Sequence, residues 1–377
     1  MKEFSVSTKI FLGEGSLEHL RSVKGKSVLI VTDDFIYKSG TAKKVADYLT
    51  DCRVSYFKDV VSDPPTEIIS AGIKSLLKAD ADVMIAVGGG SSLDTAKVIR
   101  NMAEHICPQK VHIKECFAVP TTSGTGSEVT EFAVITDRKS HTKIPLHDVS
   151  LRPITAILDP SLVVSAPPSV TANTGMDVLT HAIESYVSVG ANDFTDALAE
   201  KAFAMTVKYL PLAFQDGSNL FAREKMHNAS CMAGLAFNSA GLGLNHGIAH
   251  ALGATLHLPH GKANAILLPY TIEYNANLPA CGNGIHSAAA QRYRKLAKII
   301  GLPSETVMMG VQHLQSMVAN LNRVLKIPAD LKSAGTPLTE TLKNEIAETA
   351  LKDTTTASNP RVPTKQDIID ILNQCCE

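Results

Sequence analysis

The sequence lacks the features that mark membrane proteins, nucleic-acid-binding proteins and disulfide-stabilised proteins. No apolar run reaches the ~18 residues of a membrane helix, and the N-terminal segment MKEFSVSTKIFLGEG has no apolar signal-peptide core. The net charge is −1, with acids and bases interspersed, so neither nucleic acid nor a membrane is expected as a partner. The seven cysteines include no C-x-x-C pair, which argues against a disulfide framework or a thiolate zinc site. These absences together favour a cytoplasmic protein.

The chain does have the length and apolar content of two folded domains. It has 377 residues, 45% of them hydrophobic, and domains commonly span roughly 100–200 residues. In the first part, short apolar strands alternate with amphipathic helices, the pattern of a parallel sheet covered on both faces. After Pro167 and Pro168, helical patterns dominate. We therefore predict a Rossmann-like α/β domain at 1–166 and an all-helical domain at 167–377.

The same patterns predict the individual elements. Strands are predicted at 4–12, 27–32, 53–57, 82–87, 116–120 and 154–158, and a hairpin at 133–137 and 143–146. Helices are predicted at 40–50, 66–79, from about residue 93, and at 174–188, 193–213, 219–238, 244–256, 262–275, 287–300, 304–325, 339–351 and 365–374. Ligands of such sheets bind beyond the carboxyl ends of the strands, so the loops there are the first place to look for a site.

A glycine-rich turn follows the strand predicted at 82–87. Gly88, Gly89, Gly90, Ser91 and Ser92 lead into a helix predicted to begin near residue 93. Glycines let backbone amides approach an anion, and the helix N-terminus behind them favours negative charge, so the turn suits a pyrophosphate. The turn is not a G-x-G-x-x-G fingerprint, and a purely structural turn is the alternative.

Two further loops at strand ends carry polar side chains. Asp33 ends the strand predicted at 27–32, where a carboxylate accepts hydrogen bonds from ribose hydroxyls and repels a 2′-phosphate. That placement favours NAD over NADP; the alternative is a simple cap for the helix that starts near Ile36. The loop 121–128, TTSGTGSE, offers many short hydrogen-bonding groups around a ligand, and its alternative is a solvated loop.

Histidines are concentrated in the segment 241–264. It contains His246, His250, His257 and His260 among small and apolar residues. His246 and His250 share one helical face, and a second fragment presents a carboxylate and an imidazole four residues apart. Asp177, His181, His246 and His260 would give one carboxylate and three imidazoles around a divalent metal. The alternatives are histidines satisfied within a core and an ordinary helical Asp–His hydrogen bond. A cleft between the two predicted domains would bring nucleotide and metal together.

Five motifs in this order resemble those of the iron-containing (group III) alcohol dehydrogenases, and the resemblance spans almost the whole chain. The motifs are Gly88–Lys97, Pro120–Thr130, Thr174–Tyr186, Leu242–His250 and Pro259–Pro269. The members that look most similar are lactaldehyde reductases, 1,3-propanediol dehydrogenases and propanol dehydrogenases. The resemblance implies a dehydroquinate-synthase-like architecture, with an NAD-binding α/β domain and an all-α metal-binding domain. One departure is the segment Asp63-Pro64-Pro65, where relatives commonly read Pro-Asn-Pro.

The resemblance also assigns residues to roles. It places Asp177, His181, His246 and His260 at the metal ligands, for Fe2+ or in some members Zn2+. It places His250 beside the nicotinamide as a proton relay that is not a ligand. It places Asp33 at the ribose and Gly89, Gly90 and Ser91 at the pyrophosphate. It places Phe132 and Phe237 at the substrate pocket. The remaining matches to cofactor-lining positions are Thr121, Thr122, Thr125, Thr130, Val134 and Lys143.

The expected activity is NAD-linked interconversion of a short-chain primary alcohol or diol and its aldehyde at a metal. Two alternatives stay open. One is a glycerol-dehydrogenase-like or dehydroquinate-synthase-like zinc enzyme on the same fold, and the other is a non-catalytic binder of metal or nucleotide. The resemblance further implies a homodimer or a higher homo-oligomer. Some relatives are enclosed in bacterial microcompartments, but the sequence pattern predicts no N-terminal encapsulation helix before the first predicted strand.

Overall fold

The computed structural model describes residues 4–111, 113–137, 142–278 and 286–376. The chain divides into two compact units. One contains Ser5–Ala166 and Gly217–Gly234, and the other contains Met1–Phe4, Pro167–Asp216 and Leu235–Glu377. The segment 217–234 therefore groups with the α/β unit, although the sequence assigned it to the helical domain 167–377. The division into two contiguous domains at 166/167 stays a prediction.

The α/β unit is built on a six-stranded parallel sheet, which confirms the predicted fold class. Its strands and helices in chain order are β1 (Lys9–Leu12), β2 (Ser27–Asp33), α1 (Asp34–Lys38), α2 (Thr41–Ala46), β3 (Arg53–Val60), α3 (Thr66–Ala79), β4 (Val83–Gly88), α4 (Gly90–Ile106), β5 (Glu115–Pro120), β6 (Phe132–Asp137), β7 (Thr142–His147) and β8 (Thr155–Leu158). The sheet order is β1-β8-β5-β4-β2-β3, with every pair parallel. β6 and β7 form the predicted antiparallel hairpin.

Alternation along the central strands explains why both faces of this sheet are covered. In β2, Val28 and Ile30 belong to the apolar cluster on one face, and Leu29 and Val31 belong to the cluster on the other. Side chains of successive strand residues point to opposite faces, so a continuous apolar run requires helices on both sides. The first strand is shorter than predicted, beginning at residue 9 rather than residue 4.

The second unit is helical in the residues that the structure describes, as the sequence indicated. Its helices, with the one that spans 234/235, are α5 (Pro168–Val187), α6 (Asp193–Gln215), α7 (Leu220–Ala240), α8 (Leu244–Leu256), α9 (His260–Ala276), α10 (Ala288–Ile299), α11 (Val307–Val324), α12 (Glu340–Lys352) and α13 (Lys365–Gln374). α5 begins six residues before its predicted start, because proline is well tolerated at the first helical position. Among the described residues, no helix is long and apolar enough to cross a membrane.

Candidate active site: a glycine-rich turn and a histidine cluster

The glycine-rich turn lies where β4 passes into α4. The helix begins at Gly90, earlier than predicted, because the segment GSS has no apolar periodicity to reveal its first turn. A Cβ on Gly88 would lie 2.4 Å from the Ser92 hydroxyl, and a Cβ on Gly90 would lie 2.7 Å from Thr125 Cγ2. No side chain caps the helix, and the Ser92 and Leu93 amides donate to Gly89 O, so the Gly90 and Ser91 amides are left for another acceptor. These features fit the phosphates of a dinucleotide.

Asp33 caps α1, as one of the two sequence interpretations predicted, and lies beside the glycine-rich turn. Its Oδ1 accepts a hydrogen bond from the Ile36 backbone N–H at 2.8 Å, which confirms the cap of α1. Its Oδ2 lies 3.5 Å from the Ser92 hydroxyl, at the carboxyl end of β2 beside the glycine-rich turn. Oδ1 therefore caps the helix, and Oδ2 faces the turn. A hydrogen bond from a ribose hydroxyl to Oδ2 stays a prediction.

The threonine-rich loop is anchored to the same sheet edge. The backbone N–H of Thr121 donates to Gly88 O at 2.9 Å, and Thr125 contacts Gly90 as described above. Thr122 Oγ1 lies 3.5 Å from the position of a Cβ on Gly89. Adjacent strand ends thus bring together residues that are about thirty positions apart in sequence.

Two charged residues of α4, the half-buried Asp94 and the buried Lys97, support this loop and were not predicted. Asp94 accepts from Ser127 Oγ at 2.6 Å and from the Val134 backbone N–H at 3.0 Å. Lys97, which is 1% exposed, donates to Thr130 Oγ1 at 3.2 Å and to a backbone carbonyl of β6 at 2.8 Å. Burial lowers the pKa of Lys97 to about 8, although the Asp94 carboxylate opposes the shift. Thr130 and Val134 are therefore held by the α4 side chains, and their contact with a cofactor stays a prediction.

Two more of the predicted residues lie on the hairpin. Lys143 Nζ forms an ion pair with Asp63 Oδ1 at 2.8 Å, so the residue that departs from the family pattern has a partner in this chain. The Phe132 ring stacks on His147 with centroids 4.4 Å apart. The expected roles of Lys143 at the cofactor and Phe132 at the substrate are not tested by these contacts.

The four residues proposed as metal ligands lie on three helices of the helical unit. Asp177 and His181 lie on α5, His246 lies on α8, and His260 is the first residue of α9. From Asp177 Oδ1, the Nε2 atoms of His181, His246 and His260 lie at 3.9, 3.6 and 3.4 Å, respectively. Asp177, His181 and His246 alone place one ligand atom each within 4.8 Å of one another. His257, which also belongs to the segment 241–264, is exposed at the left-handed C-cap of α8.

A close backbone approach brings His260 to Asp177. A Cβ on Gly261 would lie 2.0 Å from the backbone oxygen of Asn173, one turn before Asp177 on α5. Only a glycine after His260 lets the start of α9 reach this distance from α5. The residue is an essential part of the site that the sequence pattern alone did not reveal.

Replacing Gly261 with alanine is expected to push α9 away from α5, lowering stability by about 1–3 kcal/mol and weakening metal retention. Gly253→Ala is the matched control on α8, because its Cβ would meet nothing closer than Leu258 O at 3.6 Å. Alanine there is expected to be neutral or stabilising by up to about 1 kcal/mol. Thermal unfolding with and without added Zn2+ measures both effects. Equal behaviour of the two variants would contradict the close-approach argument.

The electrostatics of the cluster fit a cation. Burial would raise the pKa of the Asp177 carboxyl, but His181, His260 and His246 outweigh it and hold that pKa below its usual range. Burial would lower the pKa of His246, but the carboxylates of Glu184 and Asp177 outweigh it and raise the pKa to about 9. Two buried carboxylates thus favour positive charge at this point. One carboxylate and three imidazoles without thiolate are a donor set that suits Fe2+ or Zn2+.

Glu184 was missed at the sequence level. It lies on α5 one turn beyond His181 and is 3% exposed. His246 Nδ1 donates to Glu184 Oε2, and the Asn245 backbone N–H donates to Oε1 at 2.7 Å. This contact leaves Nε2 of His246 as the ring atom that faces Asp177. The spacing of Asp177, His181 and Glu184, four and then three residues, was the available signal.

His250 and Phe237 complete the neighbourhood. The His250 ring stacks on His260 with centroids 5.2 Å apart, and its Nδ1 is hydrogen-bonded to Asp353 Oδ2 at 2.8 Å. Asp353 was not predicted, because nothing in a polar loop signals a partner 103 residues away. The Phe237 ring centroid lies 4.6 Å from that of His181. His250 is thus placed beside the cluster, and its role as a proton relay stays a prediction.

Comparison with protein families covers both parts of the chain. Residues 171–376 match the family model described as "Fe-containing alcohol dehydrogenase family, C-terminal". Residues 7–160 match the model described as "Iron-containing alcohol dehydrogenase". The two matches together include the glycine-rich turn and all four of the metal-type side chains.

Individual relatives match along the whole length. The chain is 43% identical to 1-propanol dehydrogenase PduQ of Citrobacter freundii, over 99% of this chain and 100% of that protein. It is 39% identical to NADPH-dependent butanol dehydrogenase of Clostridium saccharobutylicum, over 99% of this chain and 97% of that protein. Among solved structures, a 1,3-propanediol oxidoreductase is similar with a TM-score of 0.90 and 32% identity, and each chain is fully covered.

Proposed function

Because this chain belongs to the iron-containing alcohol dehydrogenase family, we propose that it uses NAD and Fe2+ to interconvert a short-chain primary alcohol or diol and its aldehyde. It is an alcohol dehydrogenase by its family and its full-length relatives. The observation that carries the proposal is that the Nε2 atoms of three histidines lie within 3.9 Å of Asp177 Oδ1, namely those of His181, His246 and His260. The choice of NAD, of iron and of a C2–C4 substrate is the proposed part.

Separate groups of residues in this chain are proposed to hold the cation, to bind the cofactor and to take up the proton. A bound divalent cation supplies Lewis-acid polarisation of the substrate oxygen. Asp177, His181, His246 and His260 would hold it, and Glu184 orients the His246 ring toward Asp177. The glycine-rich turn and the uncapped start of α4 would bind the pyrophosphate. His250, held by Asp353, is the candidate to take up the proton of the alcohol.

Elemental analysis of anaerobically purified protein, coupled to a screen of NAD+ and NADP+ reduction, tests this proposal. We expect bound iron and NADH formation with C2–C4 alcohols and diols such as 1-propanol and 1,2-propanediol. Activity confined to glycerol with bound zinc would favour the glycerol-dehydrogenase alternative. Absence of turnover after Fe2+ reconstitution would favour a non-catalytic binder. Dehydroquinate-synthase-like activity is disfavoured by the four ligand-type side chains.

The preference for NAD is proposed from Asp33 Oδ2, the oxygen that faces the glycine-rich turn, and a single substitution separates this role from the helix cap. Asp33→Asn keeps an oxygen for the Ile36 N–H cap and removes the charge that would repel a 2′-phosphate. We expect the ratio of kcat/KM for NADP to that for NAD to rise at least about tenfold, because like-charge contact costs more than 1.4 kcal/mol. Steady-state kinetics with both cofactors measures the ratio.

The neighbouring residue provides the control. Asp34 is exposed and pairs with Lys38 at 2.6 Å, so Asp34→Asn removes the same charge without touching the turn. Its cofactor ratio should equal that of the unmodified protein. A ratio unchanged in Asp33→Asn as well would remove the basis for the NAD assignment.

Substrate size, assembly and compartment are proposed on narrower grounds. Phe132 and Phe237 are proposed to restrict the pocket to short chains, as the propanol and butanol dehydrogenases among the relatives would require. A homodimer or higher homo-oligomer is proposed from the family resemblance. The cysteines in the described part of the chain are free, which suits a reducing cytoplasm; Cys281 lies outside the described residues.

A further inference from the structure

Buried side chains, one hydroxyl and two amides, form a hydrogen-bonded path that ends at Asp177 of the candidate metal site. Thr271 and Asn264 lie on α9, and Asn245 lies on α8 directly before His246. Asn245 and Asn264 are fully buried, and Thr271 is 2% exposed. Thr271 Oγ1 donates to Asn245 Oδ1 at 2.8 Å, and Asn245 Nδ2 donates to Asn264 Oδ1 at 2.9 Å. Asn264 Nδ2 then donates to Asp177 Oδ1 at 2.7 Å.

The direction of this amide relay, defined as Thr271–Asn245–Asn264, is fixed by one backbone group. Asn245 Nδ2 also lies 3.2 Å from the Asn264 backbone oxygen, which can only accept a hydrogen bond. The –NH2 group of Asn245 must therefore face Asn264, and the side-chain oxygen of Asn264 must accept its hydrogen bond. The –NH2 group of Asn264 is consequently forced toward Asp177, where a flipped amide would set two acceptors against each other.

The same –NH2 group touches two more members of the cluster. Asn264 Nδ2 lies 3.1 Å from His246 Nε2 and 3.1 Å from His260 Nε2. One amide group therefore contacts three of the four proposed ligands. Of the three contacts, the one to Asp177 is the shortest. A carboxylate oxygen has lone pairs enough for both a donor and a cation, whereas an imidazole Nε2 has only one, so the Asp177 contact is the one compatible with a bound cation.

We propose that Asn264 is a positioning residue for the metal site, and that the amide relay holds Asp177 in one orientation before a cation binds. The inference rests on the proposed divalent-metal site and deepens it. A buried carboxylate without a donor is costly, so it would turn toward any other partner within reach. The relay removes that freedom, and outer contacts of this kind commonly change metal affinity by about 10- to 100-fold.

The test measures Co2+ binding to the full-length, metal-stripped protein by competition with a chelator. The Asn264→Leu and Asn245→Leu substitutions keep the branching and the number of side-chain heavy atoms but remove the amide, and both are expected to weaken Co2+ binding by about 10- to 100-fold. The visible absorption of bound Co2+ is expected to change as well, because the geometry of its ligands changes. The double variant should bind no more weakly than Asn264→Leu alone, because both substitutions interrupt one path.

A buried asparagine outside the relay controls for lost stability. Asn322 is 4% exposed and donates to the backbone oxygen of Ala265 at 2.6 Å. Ala265 follows Asn264 in sequence, but the Asn322 side chain is not part of the amide relay. Asn322→Leu should lower the melting temperature of the metal-free protein as the other variants do, yet keep the Co2+ affinity and spectrum. The inference would be overturned if a folded Asn264→Leu variant kept its Co2+ affinity. It would also be overturned if Asn322→Leu lost as much Co2+ affinity as Asn264→Leu. Failure of the unmodified protein to bind Co2+ would instead reject the proposed metal site itself.

Discussion

Replacing His246 with alanine is expected to remove bound metal and to lower kcat for alcohol oxidation by at least about 10³-fold. Lewis-acid polarisation contributes several kcal/mol to such reactions, and each 1.36 kcal/mol is a tenfold change in rate. His246 is 1% exposed, and its ring is oriented by the buried carboxylate of Glu184. Its loss also leaves the Glu184 carboxylate without this donor, which further weakens the site.

Metal content by elemental analysis and steady-state kinetics with NAD+ measure the two effects separately. The matched control is His257→Asn, which changes the exposed histidine at the C-cap of α8, where asparagine tolerates the left-handed backbone, φ 54°. It should retain both metal and turnover. Asp177→Asn is a second variant that keeps the side-chain volume and is expected to lose metal as well. A His246→Ala protein that is folded, holds metal and turns over normally would show that the ligand assignment is wrong.

The histidine-rich segment shows how much of the site the sequence could predict. Ligand-type residues were identifiable by composition and helical spacing, and the two helices that carry Asp177 and His246 were predicted in place. The special position of His257 could not be predicted, because it depends on a left-handed C-cap that turns it to solvent. The helix predicted at 262–275 begins two residues earlier in the structure, so that His260 is its first residue.

Residues that act through others were the ones that sequence patterns did not reveal. Asn264 and Asn245 appear as ordinary polar residues in helices, and their function depends on which helix packs behind them. Gly261 looks like any glycine near a helix start until the backbone of Asn173 is found against it. In the same way, the helical pattern of 219–238 predicted a helix but not the unit to which 217–234 belongs. Periodicity determines which face of an element is apolar, and only the tertiary fold determines the partner of that face.

His250→Ala is expected to keep the metal and to lower kcat by about 10²–10⁴-fold, the usual contribution of a positioned acid or base. The His250 ring is anchored at Nδ1 by Asp353 Oδ2, and Asp353 is itself fixed by the N–H and hydroxyl of Thr355 through Oδ1, at 2.8 and 2.6 Å. Burial would raise the pKa of Asp353, but the contacts with His250 and Thr355 outweigh it and lower that pKa, so the residue is a carboxylate. The anchored Nδ1 leaves Nε2 as the atom able to exchange a proton.

The separation of metal content from turnover makes this prediction independent of the first one. A ligand substitution should lose metal and activity together, whereas His250→Ala should lose activity alone and show a changed solvent deuterium isotope effect on kcat. Asp353→Asn retains the size of the anchor and removes its charge, so it should cause a smaller loss of kcat with full metal content. If His250→Ala released the metal, the ring would have to be counted among the ligands. If it left kcat and the isotope effect unchanged, the alcohol proton would have to leave by a route that bypasses this histidine.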